Sequence, residues 1–241
     1  MNPEAMKPHG KALLDYHHGN VSAAVTIVRD DGWTDVMPTA SFFRQADSLD
    51  LERLALDLCT GQILDAGAGT GLHTLFLQNK GFKVTAIDVV PEAIQIMRER
   101  GISDAQQADI MTFGGSHFDT ILMMGHGIGM VENIAGLAQF LVRTHDLLSL
   151  TGQVLLTSLD ARITSNPTHL EYQKRNLGSG RYVGEIRMQF KYREIEGPFF
   201  GWLHVDPETL KTHAERHNWV CDLVSKQDDG NYLASLTRKQ R

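Results

Sequence analysis

Residues 63–88, ILDAGAGTGLHTLFLQNKGFKVTAID, constrain the fold more than any other part of this 241-residue chain. Gln62-Ile63-Leu64 is an apolar run too short for a helix and broken at once by glycine, which predicts a buried strand. Three glycines at alternate positions follow in Asp65-Ala66-Gly67-Ala68-Gly69-Thr70-Gly71, letting the backbone turn tightly and a ligand approach where a Cβ would collide. From Leu72 the apolar residues Leu72, Leu75 and Phe76 take up a helical period that runs to Lys80, and Gly81 stops it. Residues 83–87 predict the next strand, with Asp88 at its end.

Strand, glycine loop, helix, strand, acid is the order of a nucleotide-binding half of a doubly wound sheet, whose ligands sit outside the carboxyl ends of the strands. A dinucleotide fingerprint requires a third glycine where this chain has Leu72. The loop instead resembles the D/E-x-G-x-G-x-G motif of class I S-adenosylmethionine-dependent methyltransferases, carried by Asp65, Gly67, Gly69 and Gly71. That resemblance implies S-adenosyl-L-methionine as cofactor, with Asp65 meeting its ammonium and Asp88 accepting from the ribose hydroxyls. It also implies that Asp109 and Ile110 meet the adenine, and that Ala66, Val89 and Gly125 lie along the donor. Phe118-Asp119, opening a fourth strand over residues 118–124, matches the family's frequent F-D.

A length of 241 residues fits one sizeable core, read here as a single domain: residues 1–48 an N-terminal embellishment or lid, 49–159 the cofactor core, 160–205 an insert covering the substrate, and 206–241 a closing helix and strand pair. Apolar content of 42% and charged content of 22% argue against disorder. A net charge of -6 offers no global basic field, so nucleic acid is not an expected partner. With neither a signal-like N-terminus nor a spanning run, the expectation is a cytoplasmic chain. Two cysteines, Cys59 and Cys221, support neither a disulfide framework nor a metal cluster, and no metal is expected.

In chain order, residues 5–16 predict a helix, and residues 24–28 and 33–37 a hairpin about Asp30-Asp31-Gly32. Phe42-Phe43-Arg44 could close over the cofactor, with Arg44 on its carboxylate; an ordinary surface arginine fits the sequence equally. A helix over residues 50–58 is expected to bury Leu51, Leu54, Ala55 and Leu58. Helices from Pro91 to Gly101 and over 134–150 alternate with strands, the fifth over 152–158. Beyond residue 160 the alternation fails. Ile186, Met188, Phe190 and Tyr192 alternate with Arg187, Gln189, Lys191 and Arg193, and residues 199–205 can pair back on that strand after Glu196-Gly197-Pro198. The fold expected is therefore α/β, a doubly wound, mostly parallel sheet with an N-terminal helix and hairpin and an antiparallel hairpin inserted after strand five, and the family resemblance implies that the closing strand pair completes it to seven strands.

Methyl transfer from a sulfonium is an in-line displacement that needs positioning more than reactive side chains. In the loop Met124-Gly125-His126-Gly127 the ionisable side chain is His126, either a general base or a histidine that only bonds its own loop. The loop lacks the [DN]-P-P-[YFW] motif used on exocyclic amines, so a small-molecule acceptor is favoured, with a homodimer left open. Tyr172, Tyr182, Phe199, Phe200 and Trp202 could wall an apolar pocket or serve as core. Two other readings stay open: a module that binds S-adenosylmethionine without turnover, and a nicotinamide-dependent oxidoreductase, which Leu72 disfavours.

Overall fold

Successive side chains of a strand point to opposite faces, and in the central strands here both sets are apolar, so the sheet has to be covered on both sides. The computed structural model describes residues 1–115 and 117–239. The first half of the chain runs α1 (Pro3–His17), β1 (Ala24–Arg29), β2 (Thr34–Pro38), α2 (Asp50–Leu58), β3 (Gln62–Ala66), α3 (Leu72–Asn79), β4 (Lys83–Asp88), α4 (Pro91–Glu99), β5 (Ala105–Gln107) and β6 (Phe118–Met123). The second half runs α5 (Ile134–Leu147), β7 (Leu148–Leu159), α6 (Pro167–Gly178), β8 (Glu185–Tyr192), β9 (Ile195–Glu196), β10 (Phe200–Leu203), α7 (Pro207–Arg216), β11 (Trp219–Lys226) and β12 (Asn231–Arg238).

Seven strands form the larger sheet in the order β11-β12-β7-β6-β3-β4-β5, with β12 antiparallel to both of its neighbours and the strands from β7 to β5 parallel. Leu64, Ile121, Met123, Val154 and Leu156 pack on one face with Phe140 and Leu141 of α5 and Leu210 of α7. Their neighbours Ile63, Leu122 and Leu155 pack on the other face with Leu51, Ala55 and Leu56 of α2 and Leu77 of α3. The expected doubly wound sheet is thus the one observed.

β1 to β2 and β8 to β10 make a second, antiparallel sheet, β10-β8-β1-β2, with β9 on β8. The N-terminal hairpin and the insert, expected as separate embellishments, are in fact one surface: Ile27 pairs with Phe190, and Met188 with Phe200. Their dry faces meet α1, which also crosses α4 closely; a Cβ on Gly10 would lie 2.5 Å from Val90 Cγ1.

Four boundaries differ from expectation for identifiable reasons. Residues 167–178 are helical, started by Asn166, whose side chain accepts from the Thr168 N–H, and by Pro167 at the first helical position. Helix α5 stops at Leu147 because Leu148 is buried and already pairs with Phe118, so β7 begins at once. The turn of the insert is at Arg193-Glu194, where Arg193 takes φ of 51°, and residues 195–196 still pair with β8. On α2, Leu54 and Leu58 face outward and Glu52 is buried instead, because Arg44 and His73 supply it with charge partners at 2.7 and 3.1 Å.

Candidate active site

In the larger sheet the strand order reverses between β3 and β6, the switch point beside whose carboxyl ends open α/β sheets bind their ligands. The loop after β3 builds one rim. Gly67 has φ of 74°, and a Cβ on it would lie 2.7 Å from Met130 Sδ, in the turn that follows β6. The N–H groups of Gly67 and Ala68 both donate to the Ile87 carbonyl at 2.9 and 3.0 Å, which locks the loop to β4. Gly69 donates to Asp88 Oδ2 at 2.9 Å, and Val90 N–H to Oδ1 at 2.9 Å. Burial nonetheless holds the Asp88 carboxyl above the usual carboxylate range. Asp65, 2% exposed, is raised by burial too; Thr74 Oγ1 donates to its Oδ2 at 2.6 Å. A carboxylate kept dry at such a cost is poised for a cationic or hydroxylated ligand.

A cavity of about 350 Å³ opens over these strand ends. Asp65, Gly67, Gly69, Asp88, Val89, Asp109, Ile110, Gly125 and His126 all line it, so residues 61 positions apart in the chain meet in one space. Asp109 Oδ1 accepts from Met111 N–H at 2.9 Å, and Oδ2 is paired with the Met1 α-ammonium at 2.5 Å. His126 sits in the left-handed region at φ 60°, its N–H donating to Thr157 Oγ1 at 3.0 Å. Its Nε2 lies 2.5 Å from Asn231 Oδ1. With the amide oxygen as acceptor the proton is on Nε2, and Nδ1 has no hydrogen-bond partner among the described residues.

Three residues expected at the cofactor are not among the lining. Ala66 is buried in the core beneath the loop. Gly71 serves packing: a Cβ there would lie 2.0 Å from Ile102 Cδ1 and 2.9 Å from Met97 Cγ, so its missing side chain lets the start of α3 meet α4. Arg44 is turned to Glu52, as described above, rather than into the cavity. Among the proposed aromatic walls only Trp202 lines the space. Tyr172 lies under Arg29 at 4.1 Å, Tyr182 donates to Asp206, Phe199 is 40% exposed, and Phe200 packs edge-on to Phe190 at 4.9 Å. The basic residues of β8 are spent locally, Lys191 on Glu196 at 2.8 Å and Arg187 over the Phe199 ring.

The other end of the cavity is lined by Met37 and Phe42, after the first hairpin strand, and by Met188, Phe190 and His204 of the insert. What the sequence reading missed there is Met6, His9 and Leu13 of α1. Their signal was present in the spacing: residues 6, 9 and 13 recur on one helical face, with a histidine inside an apolar stripe. Burial presses the His9 imidazole down to about 4 and, with His126 as a second influence, His204 down to about 3, so both are neutral at pH 7. Cys59 and Cys221 are buried free thiols, Cys59 pushed up to about 12 by burial and Asp65.

Comparison with known proteins agrees with this geometry. Residues 63–152, from the glycine loop to the start of the fifth parallel strand's apolar run, match the model of a methyltransferase domain. Over 61 residues the chain is 38% identical to the ubiquinone biosynthesis O-methyltransferase of Xanthomonas oryzae pv. oryzae, and over 50 residues 44% identical to the magnesium-protoporphyrin O-methyltransferase of Rhodobacter capsulatus. These stretches span 25% and 21% of this chain and only 26% and 22% of those relatives. A solved S-adenosylmethionine-dependent methyltransferase from Bacteroides fragilis, in complex with S-adenosyl-L-homocysteine, is 30% identical and covers 100% of this chain and 98% of its own, with a TM-score of 0.87. With the loop, the switch-point crevice and the cover all matched along the whole length, the chain belongs to the S-adenosylmethionine-dependent methyltransferases.

Proposed function

We propose that this chain is one methyltransferase domain that takes a methyl group from S-adenosyl-L-methionine and places it on a small-molecule acceptor. The observation that carries the reading is that Asp65, Gly69, Asp88, Asp109 and Ile110, from the ends of three parallel strands, face the same cavity as His126. The residues fit the donor: a Cβ on Gly69 would meet nothing within 4 Å, leaving backbone open to a ligand, and two buried carboxylates stand where an ammonium and a ribose need acceptors. Asp65 would hold the ammonium, Asp88 the ribose hydroxyls, and Asp109 with Val89 and Ile110 the adenine.

When bound, the donor supplies an electrophilic methyl: the acceptor's lone pair forms the new bond as the carbon–sulfur bond breaks, its electron pair going to sulfur. The protein's own part is to exclude water, to fix the line of approach and to take a proton. His126 receives that proton on Nδ1 while Asn231 keeps its Nε2–H directed away, which fixes the ring's tautomer and orientation. Among the described residues no helix is long and apolar enough to cross a membrane. Two reduced, buried thiols support a cytoplasmic setting, and the acidic balance disfavours nucleic acid as acceptor.

Titration calorimetry with S-adenosylhomocysteine, followed by a metabolite screen for its release from S-adenosylmethionine, tests the proposal. The expected result is saturable binding and turnover with an uncharged or weakly polar acceptor. Stabilisation by NAD with none by S-adenosylhomocysteine would instead support an oxidoreductase, and binding without turnover across the library a non-catalytic module.

A further inference from the structure

Among the described residues that line the cavity, three histidines carry a buried ring nitrogen without a hydrogen bond; His73 Nε2 lies 3.1 Å from Glu52 Oε2, which leaves His9 and His204 with no partner. Nδ1 of His9 and Nδ1 of His204 are each shut off from solvent, and neither ring makes a hydrogen bond among the described residues. Buried polar atoms are rarely left so, because each forfeits its hydration without compensation; a ligand that bonds them removes the cost. The rings come from opposite ends of the chain, His9 from α1 and His204 from the segment after β10, and they converge on one space. His9 meets Phe42 edge-on at 4.8 Å and lies 5.7 Å from Phe190, while His204 stands at right angles to His126 with centroids 5.4 Å apart.

We infer that His9 and His204 are positioning residues for the acceptor, and that the acceptor class they select is an uncharged arene bearing a hydroxyl group, seated against Phe42, Phe190 and Trp202 with its hydroxyl toward His204 and His126. This rests on the methyltransferase reading above. Among the described residues no Lys or Arg side chain lines the cavity, and the Met1 α-ammonium that does is already paired with Asp109 at 2.5 Å, so an acceptor carboxylate or phosphate would find no free counter-charge there. The carboxylates that do line it, Asp65, Asp88 and Asp109, stand at the strand ends, where the donor's own ammonium, ribose and adenine would use them, so a protonated amine finds none at the histidine end. A hydroxyl both gives and receives a hydrogen bond and therefore satisfies a neutral imidazole in either tautomer. Between hydroxyls, a phenolic one, with a pKa of ~10, gives up its proton to imidazole more readily than an aliphatic one. Flat aromatic walls favour the arene for the same volume of ligand.

The test uses the full chain saturated with S-adenosylhomocysteine and four fluorinated probes observed by fluorine NMR: 4-fluorophenol, 4-fluoroanisole, 4-fluorobenzoate and 4-fluorobenzylamine. The phenol is expected to bind about tenfold more tightly than each of the others, the scale of one well-made buried hydrogen bond. His204→Leu is expected to weaken 4-fluorophenol by about tenfold and His9→Leu, whose ring stands against Phe42 and Phe190, by a smaller factor, with S-adenosylhomocysteine affinity within about twofold of the parent. His204→Gln, which restores a donor and an acceptor, should recover most of the loss, which a merely structural role would not produce. With an identified substrate the same variants should raise KM more than they lower kcat. Equal or tighter binding of the benzoate or benzylamine by the parent protein would overturn the inference, as would leucine variants that hold 4-fluorophenol like the parent. Failure of the parent to bind S-adenosylhomocysteine would overturn the underlying reading instead, and is seen before any probe is added.

Discussion

The two ends of the cavity are built on opposite principles. At the strand ends, residues 65–69, 88–89 and 109–110 come from one continuous half of the sheet and present three carboxylates, two of them raised by burial. At the far end, residues 6–13, 27–42 and 188–204 come from three separated segments and present methionines, aromatics and two neutral imidazoles. The first end holds charge in a fixed frame; the second offers shape and uncharged hydrogen bonds. Such a division lets one rigid site hold a constant donor while a composite cover sets which acceptor fits.

The sharpest way to break that division is at the point where the two ends meet. His126→Asn should lower kcat by roughly 10²–10⁴-fold while leaving S-adenosylhomocysteine binding close to the parent, as steady-state and calorimetric measurements together would show. A loss seen only in KM would move His126 to the acceptor-orienting group. Next in size is a contrast within the glycine loop. Gly71→Ala places a Cβ 2.0 Å from Ile102 Cδ1 at φ of 75° and should cost about 2–4 kcal/mol of stability in chemical denaturation. Gly69→Ala has open space and should cost only about 1–2 kcal/mol of stability from its φ of 56°, its larger effect falling on ligand affinity. If the two behave alike, the loop does not separate packing from binding.

Asp88→Ala comes third. It removes the acceptor assigned to the ribose and should weaken S-adenosylhomocysteine by about 1.5–3 kcal/mol in calorimetry, with acceptor-probe binding little changed. Unaltered affinity would remove Asp88 from the donor's end. The smallest effect distinguishes the two ends by pH. His9 and His204 have folded pKa values of about 4 and about 3, below the ordinary 6.5, so the unfolded chain takes up protons that the folded chain refuses. Stability from these rings is full above pH 6.5 and is lost as pH falls toward 4, by roughly 1 kcal/mol per ring between pH 6.5 and 5.5. Urea melts across that range should steepen accordingly, and His204→Gln should flatten part of the slope; an unchanged slope would show that His204 is hydrated.

How much of this was legible in the sequence follows from how local each part is. Asp65, Gly69 and Asp88 could be placed because a glycine loop between two short apolar runs has few foldings, and strand ends bring those residues together whatever surrounds them. The doubly wound sheet followed from the alternation of strands and helices, and its seven strands from the family resemblance. Gly71 matched the motif but acts through Met97 and Ile102, which only the crossing of α3 and α4 puts beside it. Arg44 looked free because its partner Glu52 lies off the stripe of Leu51, Leu54, Ala55 and Leu58 that amphipathic spacing assigned to the core. The spacing of residues 6, 9 and 13 put His9 on the apolar face of α1 but not in a site, since its surroundings are set by β8, some 180 positions later. Helix α6 carried its own start signal in Asn166-Pro167, but weak amphipathicity hid the rest.

The pairing of β1 with β8 also orders events in time. As the chain leaves the ribosome, β1 and β2 emerge first, yet the edge of β1 that Phe190 and Lys191 will occupy stays bare until some 160 further residues have been made. The five parallel strands of the larger sheet are all available by residue 159, before any of the cover's second half exists. Loop closure over that separation is entropically slow, so the donor's platform is expected to condense first and the cover to arrive last. A chain cut off before residue 185 would carry an exposed strand edge and the unpartnered apolar face of α1, which makes premature termination a route to aggregation rather than to a half-active enzyme.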